Sequence, residues 1–139
     1  MKRRVVITGM GVVSPIGNTV AEVWDSVLHS RCGIGEITHF DATDFRAKLA
    51  GEVKNLDMEQ YFTKRDLKFN DRFTQFTRIA AKQAYENSGL AEAEFNRDRF
   101  GVIIGSGIGG IATIEGASQT IENRGPSRIS PYFIPMSLI

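Results

Sequence analysis

The chain has 139 residues, enough for about one domain that buries roughly two-thirds of its unfolded surface. An apolar share of 42% beside 24% charged residues is that of a globular protein and excludes a disordered tail. A formal charge of +1 gives no footprint for nucleic acid, and the single cysteine, Cys32, excludes an intrachain disulfide.

The opening MKRRVVITGMGVV puts basic residues before an apolar run, as a secretory leader does. Thr8, Gly9 and Gly11 break that run, and no small-residue cleavage site follows before Pro15. No window of about eighteen apolar residues exists, so no membrane span is expected. The expected compartment is the cytoplasm, which a lone cysteine suits.

Val5-Val6-Ile7 is β-branched and apolar on both faces, as a strand covered from both sides would be. It feeds a turn-rich loop, Thr8-Gly9-Met10-Gly11 and then Ser14-Pro15-Ile16-Gly17. Thr19 and Glu22 have capping-box spacing, and Val20, Val23, Trp24, Val27 and Leu28 follow on one helical stripe. Residues 31–70 are less regular. Leu49 to Val53 suits a short strand and Met58 to Phe62 a short helix, followed by a basic stretch in which Asp66 and Asp71 oppose Lys64, Arg65, Lys68 and Arg72. From Asp71 the pattern is helical, with Phe73, Phe76, Ala80 and Ala84 on one face. Gly89 ends it, with Leu90 placed for a Schellman contact. Phe100 to Ile104 reads as a second buried strand. A helix from about Gly110 to Asn123 is expected to turn Ile111, Ile114 and Ile121 inward, until Gly125-Pro126 stops it. This alternation predicts an α/β fold with a parallel sheet.

Gly105-Ser106-Gly107-Ile108-Gly109-Gly110 matches G-x-G-x-x-G. A dinucleotide fingerprint also needs a second strand about twenty residues on, tipped by an acidic residue. That stretch holds Arg128-Ile129-Ser130-Pro131, which proline interrupts, and Glu122 falls inside the predicted helix. An NAD(P)-dependent oxidoreductase therefore stays only as a rival, since glycines also let a strand turn sharply into a helix. His29, Cys32 and His39 are close in sequence but lack a fourth ligand and a recognised metal spacing.

GMGVVSPIGN, IGSGIGG and ISPYFIP, in that order, resemble the β-ketoacyl-acyl-carrier-protein synthases, the thiolase-like condensing enzymes that elongate chains in dissociated bacterial fatty-acid synthesis. The resemblance covers residues 1–139 and makes them an incomplete N-terminal portion of a layered α-β-α-β-α fold with a mainly parallel sheet. The apolar ending PYFIPMSLI fits that expectation. The family implies a decarboxylative Claisen condensation: a cysteine holds the acyl chain, two histidines support decarboxylation of malonyl-carrier protein, and no cofactor takes part. By the same resemblance the nucleophile lies beyond Ile139. Cys32 is then not the nucleophile, and the segment alone is inactive.

Residue by residue, the resemblance makes Ile108 a gate that moves aside for longer acyl chains, with Gly107 giving it room. It makes Phe133 and Ile134 pocket residues contributed across a homodimer interface. Lys64, Arg65, Lys68 and Arg128 match positions that receive the acidic face of acyl carrier protein. Without the resemblance the apolar four read as plain core, and KRDLK as a solvated face. A non-catalytic chain-length-determining partner and a polyketide ketosynthase share these residues and stay open as alternatives. An isolated N-terminal portion is expected to expose apolar faces and to associate.

Overall fold

The computed structural model describes residues 3–138. Its elements are α1 (Val20–Leu28), β1 (Ile34–Glu36), β2 (Leu49–Gly51), α2 (Lys64–Phe69), α3 (Arg72–Asn87), α4 (Ile111–Arg124) and α5 (Phe133–Ser137), with 3-10 turns at Met58–Gln60, Arg97–Arg99 and Pro126–Arg128. They form two compact units, Met1–Asp57 with Ile79–Ala93, and Met58–Arg78 with Glu94–Ile139. Among the described residues no helix is long and apolar enough to cross a membrane.

In the first unit α1 begins where the sequence predicts. Thr19 Oγ1 accepts from Glu22 N at 3.2 Å, but the Glu22 carboxylate returns to Asn18 N, at 2.6 Å, one residue upstream of the expected box. Ser26, buried on α1, donates to Ile16 O at 2.7 Å and holds the preceding turn against the helix. β1 and β2 pair antiparallel with Gly35 opposite Ala50. The segment entering from residue 9 lies against α3 at backbone contact: a Cβ on Gly11 would strike Ala80 O and come within 2.7 Å of Ala84 N, so only glycine fits. Gln83 Oε1 accepts from Val12 N at 3.0 Å and Asn87 Oδ1 from Met10 N at 3.1 Å, so helix side chains serve amides that a neighbouring strand would otherwise serve.

The parallel sheet expected from the sequence is not formed among the described residues. Their only ladder is β1–β2, and residues 5–7 and 100–104 have no strand partner, with Val5 90% and Ile103 99% exposed. β-branched composition supplies a propensity, whereas a strand exists through its partner.

α3 ends as predicted at Gly89, whose φ is +71°. The longer Schellman bond is relayed: Leu90 N donates to Ser88 Oγ at 3.2 Å, and that hydroxyl donates to Tyr85 O at 2.7 Å. In the second unit α2 carries a complete capping box between Thr63 and Asp66. α4 packs on α5 and on the Pro126–Arg128 turn. It does so through its small face, Thr113, Ala117 and Thr120, while Ile111, Ile114 and Ile121 are exposed. This corrects the inward assignment of the isoleucines. Both stripes have helical spacing, and the smaller one admits the closer neighbour.

Candidate functional site

All the positions assigned by resemblance fall in the second unit. The glycine loop is organised at its far end. Gly109, at φ +80°, donates to Ser106 Oγ at 3.0 Å, and Gly110 N donates to Ser137 O on α5 at 3.0 Å. A Cβ on Gly110 would strike Met136 O and lie 2.9 Å from Ser137 Cα, so the glycine permits this backbone crossing.

Gly110 is the N-cap of α4 and has no side chain to cap it. Asp71, 8% exposed, does so from another element: its Oδ2 accepts from Thr113 N at 3.0 Å and from Thr113 Oγ1 at 2.6 Å. Its own carbonyl meanwhile accepts from Gln75 N at 3.1 Å at the start of α3. A helix N-terminus favours an anion, and here the protein's carboxylate fills the place a pyrophosphate would need. Asp71, Thr113 and Ser137 were not legible as site residues; the one available signal was a glycine at a helix start, which must borrow its cap.

Phe133, half-buried on α5, lines a cavity of about 250 Å³ together with Thr113, Gly116, Ala117, Thr120 and Arg128. Gly107, Ile108 and Ile134 stand outside that cavity. Ile108 is 68% exposed, Gly107 has open space where a side chain would be, and Ile134 is exposed. One cavity therefore gathers Phe133 with Arg128; Ile134 adjoins it on α5, and Gly107 and Ile108 precede Gly110, whose amide is bonded to Ser137 O of that helix.

Lys64, Arg65 and Lys68 are exposed along α2. The two acids of the same stretch are committed elsewhere. Asp71 serves α4, and Asp66 accepts from Thr63 N and Oγ1 and from Arg78 Nη1 at 3.5 Å. The Thr63 hydroxyl chiefly, and its amide next, hold the Asp66 carboxyl below its ordinary pKa, with Arg78 a lesser cause. Phe69 stacks at 4.4 Å on Tyr132, joining α2 to the start of α5.

In the first unit His29 Nδ1 lies 3.1 Å from Asp25, and His39 Nε2 lies 4.0 Å from Glu52. Cys32 is exposed, with its Sγ 4.0 Å from Ile34 O. The two histidines serve separate carboxylates, and no metal-binding group of these residue types occurs among the described residues.

Comparison with known proteins bears on this geometry directly. Residues 2–138 match the family described as Beta-ketoacyl synthase, N-terminal domain. The chain is 48% identical over 138 residues to the 3-oxoacyl-acyl-carrier-protein synthase 2 of Vibrio cholerae serotype O1, covering 99% of this chain and 33% of that protein. It is 46% identical over the same length to the Vibrio harveyi protein of that name, with the same coverage. The solved ishigamide ketosynthase/chain length factor superposes with a TM-score of 0.78 at 26% identity, over 99% of this chain and 34% of that one. The chain thus spans about a third of the length of these relatives. The chain belongs to the β-ketoacyl synthase N-terminal-domain family.

Proposed function

We propose that this chain is the N-terminal portion of a β-ketoacyl-acyl-carrier-protein synthase, an acyltransferase that elongates fatty acyl chains. The observation that carries the reading is 48% identity across 99% of the chain to a relative whose name states that activity. In this reading a cysteine outside the segment takes the acyl group from its carrier thioester and releases the carrier thiol. Malonyl-carrier protein then loses carbon dioxide, and the resulting carbanion attacks the acyl thioester and expels the enzyme thiolate. Neither step is a redox step.

The exposed cations Lys64, Arg65 and Lys68, with Arg128, would steer the acidic carrier protein. Gly107, Ile108, Phe133 and Ile134 would line the acyl path. The whole enzyme would be a cytoplasmic homodimer with thiolase-like layers, in which residues 5–7 and 100–104 find partners in a mainly parallel sheet. A second reading is a chain-length-determining partner without the nucleophile, favoured by the likeness to a ketosynthase/chain length factor at 26% identity. A polyketide ketosynthase would share the same chemistry.

Intact mass of the protein from its natural source, before and after exposure to an acyl-carrier-protein thioester, tests the first reading. The expected result is a chain well beyond 139 residues that gains one acyl group at a site other than Cys32. No acyl gain would overturn it in favour of the partner.

A further inference from the structure

We infer that Asp71, Thr113, Gly110 and Ser137 form a clamp that fixes the base of the Ile108 loop, making Asp71 a positioning residue for acyl chain length; the chain-length part rests on the function proposed above. The loop has unlike ends. On its near side, a Cβ added at Gly105 or Gly107 would meet nothing within 4 Å. On its far side, Gly110 is bonded to Ser137 O at 3.0 Å and walled by Met136 O, Ser137 Cα and the Asp71 carboxylate. Ile108 stands just before this fixed point, separated from it by Gly109 at φ +80°.

The carbonyl that receives Gly110 N belongs to α5, the helix that carries Phe133 into the cavity. The clamp therefore ties Gly110, two residues beyond Ile108, to the helix that lines the cavity. Asp71 secures it from the other side by holding the first turn of α4 through Thr113 N and Oγ1, at 3.0 and 2.6 Å. Without that carboxylate both donors lose their acceptor. The turn then loosens, Gly110 gains play, and Ile108 is displaced more easily. Asp71 acts through the loop and need not touch substrate.

The test uses the intact natural protein and its Asp71→Ala, Asp71→Asn and Thr113→Val forms. The first measurement is kcat/KM with hexanoyl- and tetradecanoyl-carrier protein. The expected result for Asp71→Ala is a rise of about fivefold in the long-to-short ratio, the low end of ordinary coupling between sites. Asp71→Asn keeps an acceptor oxygen and should restore most of the original ratio. Thr113→Val keeps the amide bond and should shift the ratio part of the way, which decides the matter if Asp71→Ala does not fold. Equal losses on both substrates, with the ratio unchanged, would overturn the chain-length role. The second measurement is amide hydrogen exchange at residues 109–113, which should accelerate in Asp71→Ala or Thr113→Val. Unchanged exchange overturns the clamp itself. An unaltered protein that condenses neither substrate, with exchange still accelerated in the variants, overturns the function reading and leaves the clamp standing.

Discussion

Asp66 and Asp71 read alike in the sequence, as acids within a basic stretch, and the structure gives them different work. Asp66 is exposed enough that its value lies in local capping rather than in burial. Its folded-state pKa is depressed, chiefly by the Thr63 hydroxyl, so its contribution is present above the unfolded value of about 3.9 and is lost as pH falls through the lower folded value. Thermal melts taken down through that acidic window should show a shallower loss of stability for Asp66→Asn than for the unaltered protein; identical slopes would remove Asp66 from the account. Glycines make a second contrast at this scale. A Cβ at Gly110 strikes Met136 O, whereas one at Gly116, on the same helix, meets nothing within 4 Å. Gly110→Ala should cost about 1–3 kcal/mol by overpacking, and Gly116→Ala should gain about 0.5–1 kcal/mol by helix propensity. Denaturant midpoints of the two variants should move in opposite directions, and movement in the same direction would refute the assignment.

Helix ends were the most legible elements, because a cap is written within a few residues. Thr19 and Gly89 mark ends the structure keeps, although Glu22 bonds Asn18 and Ser88 relays the final turn, whereas the Thr63 cap of α2 was passed over. Packed faces were less legible. Ile111, Ile114 and Ile121 form a true stripe, yet α4 is held by Thr113, Ala117 and Thr120 because α5 approaches there, and that choice depends on a neighbour that local spacing cannot reveal. The bonds that organise the site are more remote still: Asp71 and Thr113 are 42 residues apart, Gln83 and Val12 71 apart. α2 shows what a local signal can support. It is six residues long, too short to be stable alone, and its first turn rests on the Thr63–Asp66 box. Thr63→Ala should cost about 1 kcal/mol of helix stability, and with Lys64, Arg65 and Lys68 unchanged it should weaken carrier-protein binding in titration calorimetry of the intact protein. Undiminished affinity would mean that the cations need no ordered helix, or that the carrier docks elsewhere.

At the scale of the whole molecule, three short motifs were enough to mark the family, whereas the sheet was not readable from two apolar runs. Val5 and Ile7 are largely exposed in the first unit, as Val102 and Ile103 are in the second, and none of these residues lies in a strand ladder. Each apolar side chain left in water forgoes about 1.5–3 kcal/mol of burial, and clustered exposure of this kind favours contact with any other apolar surface. The 139-residue segment made by itself should therefore bind a hydrophobic dye and sediment as a concentration-dependent mixture of associated species. Val5→Lys and Ile103→Lys should each reduce that association, because a charge on an apolar run opposes edge-to-edge pairing. In the intact protein the same substitutions should instead destabilise, since there the runs would be covered. A segment that sediments as a single monomeric species without dye binding, or an intact protein indifferent to both lysines, would show that these surfaces belong in water and would count against reading the chain as part of a larger sheet.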